Sequence, residues 1–184
     1  MKVVSLDQST TGTGMAIFNN GKLKDYFFIK PKPSKKVDKT EIVTSPHLYE
    51  IKMSEEDYGV SLLRITEIVD LLEKIIKAEK PDVVYFEEIY ENNNPKGFRT
   101  SARLQGFIAH LAHQNGIKYV IVEENKWANS IATYSYKIKR YERKKDINKR
   151  MNDLYGLNID NNDITDALAI GTYALMAEKE NKNE

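Results

Sequence analysis

The chain has no cysteine, which excludes both a disulfide framework and a thiolate metal site. It has no apolar run near the roughly 18 residues of a membrane-spanning helix. Its N-terminus runs straight from a strand-like opening into Asp7, without the apolar core of a signal peptide. A soluble, cytoplasmic protein without membrane contact is therefore expected. An excess of one charge is also lacking: 28 Lys and Arg face 27 Asp and Glu, a formal net charge of +1, so global charge identifies no partner. Proline is scarce, and three of the five (Pro31, Pro33, Pro46) fall in one stretch. A chain of 184 residues is long enough to bury a real core in one domain, expected over 1–178 with a frayed tail over 179–184.

What is present begins with short apolar runs. Lys2–Leu6, Met15–Phe18 and Lys24–Lys30 read as strands joined by tight turns, with Asn19-Asn20-Gly21 as a hairpin signal. Residues 31–58 form a long excursion holding a short hairpin around Ile42–Ile51. The spacing of Leu62, Leu63, Ile65, Ile68, Val69, Leu72, Ile75 and Ile76 predicts a helix over Val60–Lys80, stopped by Pro81. Val83–Phe86 is an all-apolar strand. Asn92–Gly97 is a loop, and Arg99–Gln114 a helix with Leu104, Phe107, Ile108 and Leu111 on one side. Gly116 is placed as its left-handed cap. Lys118–Val122 is a fifth strand, Asn125–Glu142 carries no clear pattern, and Asp146–Tyr155 and Asp163–Glu178 are helical. This order predicts an α/β fold with a five-stranded mixed sheet, three strands antiparallel and two parallel, flanked by helices.

The carboxylates fall at the ends of these elements. Asp7 ends the first strand and Glu87 the fourth, while Asp163 and Asp166 open the last helix three residues apart and so face one way. Taken alone, the Asp pair reads equally as helix capping. Strand alternation sends Glu87 and Glu88 to opposite faces, and the residues by themselves do not choose between them. Carboxylates gathered together raise one another's pKa, and hard divalent cations take oxygen ligands of this kind. The pattern points to metal-dependent chemistry on a phosphate at the carboxyl ends of parallel strands.

A basic block supplies a matching surface. Lys126, Lys137, Lys139, Arg140, Arg143, Lys144, Lys145, Lys149 and Arg150 stand against Glu142 and Asp146 alone, a local net of +7. Such a run reads either as a phosphate-backbone contact or as a solvated face. Tyr90, at the start of an asparagine-rich loop, reads as a base-stacking residue or a surface tyrosine. His110 and His113 have no further ligands at convincing spacing and read as core or partner-facing residues. Trp127 reads as core. The turn Asp7-Gln8-Ser9-Thr10-Thr11-Gly12-Thr13-Gly14 is either a hairpin or a phosphate cradle.

Val-Ser-Leu-Asp7 with Thr-Gly-Thr-Gly, Tyr-Phe-Glu87-Glu-Ile-Tyr and Asn-Asp163-Ile-Thr-Asp166-Ala-Leu-Ala-Ile, taken in order, resemble the RuvC-type Holliday junction resolvases of the ribonuclease H-like superfamily, phage-type members in particular. The resemblance spans Val3 to about Ala174. It implies a structure-selective endonuclease in which Asp7, Glu87, Asp163 and Asp166 hold two Mg²⁺ ions, with Mn²⁺ as a substitute. It selects Glu87 over Glu88. It also implies a catalytic lysine at Lys144, with Lys145 as the neighbouring choice, and a Tyr90 that stacks at the junction point. Lys126, Lys137, Lys139, Arg140, Arg143, Lys144 and Lys145 become DNA contacts. The implied partners are four-way junctions, with forks or flaps as other branched DNA, and a second copy packed through Arg99–Gln114. The chain departs from the family at Gln8-Ser9, where Pro-Gly is common, and at Ala128, where a lysine is common and only Lys126 is near. The Asp7–Gly14 turn also resembles the phosphate turn of sugar kinases and actin-like ATPases, and a non-catalytic branched-DNA module is a further alternative. The late Asp pair fits a nuclease better than a kinase.

Overall fold

The computed structural model describes residues 1–91, 94–132 and 139–180. Its elements run β1 (Lys2–Asp7), β2 (Thr13–Asn19), β3 (Lys22–Pro33), β4 (Glu41–Ser45), β5 (Leu48–Met53), α1 (Glu55–Gly59), α2 (Ser61–Glu79), β6 (Val83–Glu87), α3 (Pro95–Gln114), β7 (Lys118–Val122), α4 (Glu124–Ile131), α5 (Arg140–Tyr155) and α6 (Asn162–Glu180). The expected loop at Asn92 and Asn93, the end of the expected tail at 181–184, and Lys137 lie outside the described residues.

The sheet has seven strands in the order β4-β5-β3-β2-β1-β6-β7, two more than expected. β1, β2 and β3 form the antiparallel meander, and β1, β6 and β7 run parallel. The additional strands are the hairpin expected around Ile42–Ile51, which joins the sheet: β4 pairs antiparallel with β5, and β5 pairs parallel with the far end of β3. The prolines obscured this. β2 stops pairing with β3 at Ile29, so Pro31 and Pro33 lie where β5 is the neighbour on one side and no N–H is needed on the other.

Alternation along the strands divides the core in two. Val4, Leu6, Val84 and Phe86 join Ile65, Ile68, Leu72 and Ile76 of α2 and Leu104, Ile108 and Leu111 of α3. Val3, Val83 and Tyr85 face the other way, toward Trp127 and Ile131 of α4, Ile147 and Met151 of α5, and Leu168 and Ile170 of α6. The helix periods predicted α2 and α3 well, although Leu62, Leu63 and Phe107 are exposed rather than core. Lys80 closes α2 in the left-handed region before Pro81, and Gly116 and Gly156 follow α3 and α5 with φ of 65° each. Asn20 and Gly21 have φ of 50° and 78°, as the expected two-residue hairpin turn requires.

α6 crosses β1 and β2 without space for side chains between them. A Cβ at Gly14 would lie 1.8 Å from the Asp163 carbonyl oxygen, and one at Gly171 would lie 2.1 Å from the Phe18 ring and 2.5 Å from Ser5 Oγ. Ser5 Oγ, fully buried, donates to the Ala167 carbonyl at 2.7 Å. Gly171→Ala is expected to destabilise the protein by about 1–3 kcal/mol through overpacking, seen as a lower urea midpoint at unchanged m-value. An unchanged midpoint would show that α6 can lift from the strands at little cost.

Candidate active site

The same alternation decides where the strand-end carboxylates point. Val3 and Ser5 face α6, so Asp7 does too; Val83 and Tyr85 face α6, so Glu87 does, and Glu88 faces away. β1 and β6 are adjacent and parallel, with Leu6 opposite Phe86, which puts Asp7 and Glu87 side by side at one end of the sheet. Gln8 carries this pairing past the end of the regular ladder. Its Nε2 donates to the Glu87 carbonyl at 2.6 Å, and its Oε1 accepts from the Glu87 N–H at 3.2 Å. Gln105 of α3 adds a second donor to the same carbonyl at 3.0 Å.

Asp163 and Asp166 are delivered by α6, and capping does not occupy them. The helix start is capped by Asn161, whose Oδ1 accepts from the Ile164 N–H at 3.2 Å. The loop before it is held by Asn148 and Asn152 of α5, both of which donate to the Ile159 carbonyl. Asp166 lies deepest, 4% exposed, whereas Asp7, Glu87 and Asp163 keep part of their surface.

Lys144 Nζ donates to Asp166 Oδ2 at 2.8 Å. Lys144, Ile147 and Met151 lie along one face of α5, and the latter two are buried, so Lys144 points inward. Lys145 falls on the outer face, 4.5 Å from the centroid of the Tyr141 ring. This spacing was available in the sequence as a means of separating the two lysines. Glu124 was missed. It opens α4 on the face of the buried Trp127, Ala128 and Ile131, and it pairs with Arg143, with Arg140 at 3.9 Å. That face too could have been read from the spacing of the apolar residues.

The electrostatics bind these groups into one site. Burial pushes Asp7 well above the ordinary carboxylate range, and the charges of Asp166, Glu87 and Asp163 push the same way while Lys144 opposes them. Burial, then Glu124 and Asp166, raise Glu87 to about 7 against the pull of Lys144 and Arg140. Burial also raises Asp163 and Asp166, again against Lys144. Among the described residues no three acidic or histidine side chains are already drawn into a cation cage. Lys144 is the cation already set against Asp166. An all-oxygen donor set whose members are inclined to hold protons, chiefly because they are buried, suits a hard divalent cation.

The remaining expected residues scatter around this centre. Tyr90 is 54% exposed and lines a cleft with Glu87, Glu88, Phe98, Glu124 and Arg140. Lys126 is exposed and pairs with Glu123 at 2.9 Å. Lys139 and Arg140 are exposed at the start of α5, but Arg143 is spent on Glu124 and is largely covered. Lys149 and Arg150 pair with Asp153 and Asp146. The basic block is thus not one uniform surface, because helix geometry turns its members in different directions. His110 and His113 are exposed on α3 and not part of the core. The Asp7–Gly14 turn bonds to itself: Thr13 Oγ1 donates to the Ser9 carbonyl at 2.8 Å and accepts from the Ser9 N–H at 3.2 Å.

These raised values set a pH dependence for the cation-free protein. Each carboxylate binds its proton more tightly folded than unfolded, so the folded state holds more protons in that window and stability falls as pH rises. For Glu87 the fall runs from the ordinary 4.5 to about 7. Chemical melts in a chelator are expected to show stability decreasing across this range, with a shallower decrease in Glu87→Gln. A stability that climbs with pH there would contradict the site's electrostatics.

No protein-family model matches the chain, and no curated protein matches it. Solved structures do. Thermus thermophilus RuvC in complex with a Holliday junction superposes with a TM-score of 0.69 at 16% identity, covering 97% of this chain and 96% of that one. The yeast mitochondrial Holliday junction resolvase gives 0.55 at 11% identity, covering 98% and 80%. The fowlpox virus resolvase, solved with Holliday junction DNA, gives 0.52 at 15% identity, covering 100% of both chains. Across nearly its whole length, this chain has the α/β fold of the RuvC-type Holliday junction resolvases.

Proposed function

We propose that this protein is a cation-dependent endonuclease that cuts branched DNA, four-way junctions foremost. The observation that carries the proposal is the convergence of Asp7, Glu87, Asp163 and Asp166 from β1, β6 and α6 beside Lys144, on a fold shared with resolvases. Asp7, Glu87, Asp163 and Asp166 would hold two Mg²⁺ ions, for which Mn²⁺ would substitute. Such a pair, when bound, supplies activation of a water and neutralisation of charge on the departing oxygen. The chain's own residues do the rest. Gln8 and Gln105 fix the backbone at Glu87, and the Asn161 cap leaves Asp163 and Asp166 unengaged by the helix end. Lys144 balances the buried negative charge through Asp166 and would be available to a phosphate oxygen once the carboxylates are neutralised. Hydrolysis in line with this arrangement leaves a 5′-phosphate and a 3′-hydroxyl. Tyr90, Lys126, Lys139 and Arg140, exposed around the cleft, suit stacking and backbone contact.

The proposal includes a homodimer, whose two sites would cut symmetric strands. α3 exposes Phe107 beside Gly106 and His110, and Tyr119 and Ile121 of the edge strand β7 are exposed on the same side of the sheet as α3. Phe107→Glu is expected to shift the protein toward monomer in sedimentation velocity; an unchanged mass distribution would move the interface elsewhere.

The central test is cleavage of labelled four-way, forked and linear DNA in Mg²⁺. Asp7→Asn and Asp166→Asn are each expected to lower junction cutting by at least about 100-fold, the upper range for residues that merely support a metal site. Junction cutting that survives both substitutions would overturn the assignment. A cation titration near pH 6.5 is expected to release protons, because ligands with raised pKa values give them up on binding.

A further inference from the structure

The stretch from Lys30 to Lys39 contains five lysines (Lys30, Lys32, Lys35, Lys36, Lys39) and one acid, Asp38. Its placement follows from strand register. Asp7 lies opposite Gly14, and Gly14 opposite Phe28. β3 runs in the same direction as β1, since both are antiparallel to β2. Beyond Phe28, β3 therefore continues past the carboxylate end of the sheet. At about 3.3 Å per residue, Pro33 stands about 17 Å beyond the level of Asp7.

Lys30 and Lys32 share the sheet face of Phe28. That ring lies against Gly12, where an added Cβ would also come within 3.4 Å of Asp163 Oδ2. The lysines thus begin at the rim of the candidate active site, on the face toward which Asp7 and Glu87 point. The extension is firmly built. Ile29, Ile51 and Met53 are buried in the core on the opposite face, Pro31 is buried, and Val37 tucks the tip under at 7% exposure. Glu50 holds Lys32 at 3.4 Å, and Glu41 pairs across from Lys52. Lys30, Lys35, Lys36 and Lys39 are exposed. A solvated charge run needs no rigid strand anchored in the core, whereas a backbone-contacting surface gains from one because less ordering is left to the moment of binding.

We infer that the β3–β5 extension, with the 34–40 loop at its tip, is a second DNA-contacting surface that grips the phosphate backbone of a duplex arm away from the cut. The inference rests on the branched-DNA reading of the active site. At a rise of about 3.4 Å per base pair, 17 Å corresponds to about five base pairs from the reacting phosphate.

The test uses the full chain with Asp7→Asn, so that binding is read without cutting. Lys30→Ala, Lys35→Ala, Lys36→Ala and Lys39→Ala are combined in that background. Affinity for a long-armed four-way junction is measured by fluorescence anisotropy over a salt series, and a thermal melt verifies folding. The quadruple variant is expected to bind about tenfold more weakly or worse, with a salt slope shallower by about 2–4, near 0.9 for each phosphate contact removed. Hydroxyl-radical protection is expected to disappear about five base pairs from the cut and to persist at the branch point. Arginine at all four positions should restore binding. Unchanged affinity, slope and footprint would overturn the inference. So would a loss confined to duplex RNA, which would reassign the surface. If the protein with Asp7 intact cuts nothing, the nuclease reading fails; the lysine effect on DNA affinity still stands or falls by itself.

Discussion

Negative charge concentrated under a helix governs this structure. Two parallel strands end in Asp7 and Glu87 on one face, and α6 lies over them closely enough that Gly14 and Gly171 are required. That close approach is what brings Asp163 and Asp166 to the strand ends and takes water away from them. Burial of like charges is unfavourable, so the protein meets it with Lys144 on Asp166 and leaves the other carboxylates inclined to keep protons. Perturbed carboxylates gathered at strand ends in this way are characteristic of functional sites, which is the ground on which a cation-binding role is proposed for them.

The surrounding polar contacts serve the same arrangement. Gln8, one of the two residues at which the chain departs from the resembled family's pattern after the first Asp, acts as one more rung between β1 and β6 and fixes the Glu87 backbone. Asn161 takes over helix capping, which frees both aspartates of α6. α5 is attached on both sides, through Arg143 to Glu124 and through Lys144 to Asp166. Two adjacent residues of one helix thereby join α4 and α6 around the site, and the charge of Glu124 contributes to raising Glu87. Structural ion pairing and the electrostatics of the candidate site are the same interactions here.

Much of this was legible in the chain. The apolar runs marked β1, β2, β6 and β7, the helical period marked α2 and α3, and the Asn-Gly turn and the glycines after α3 and α5 marked their own boundaries. The hairpin within the excursion was legible around Ile42–Ile51, but its place beside β3 was not, because Pro31 and Pro33 ordinarily argue against continuing that strand; an edge with one neighbour removes the objection. Phe107 looked like core because helical spacing shows which residues share a face, not whether another element covers that face. Arg143 and Lys144 looked alike as members of a basic run, although one meets Glu124 and the other Asp166.

The sequence by itself determined most of the element types, the positions of the carboxylates at element ends and the absence of thiol chemistry, since these depend on composition and on periods of two and 3.6 residues. Only the tertiary structure decided that Asp163 and Asp166 of α6 come to the ends of β1 and β6, that Lys144 meets Asp166 and Glu124 meets Arg143, and that the lysines of β3 extend past the rim of the site. Each of those outcomes depends on which strand lies beside which and how closely a helix crosses them. Such relations are fixed by packing between residues distant in the chain, and no local pattern records them.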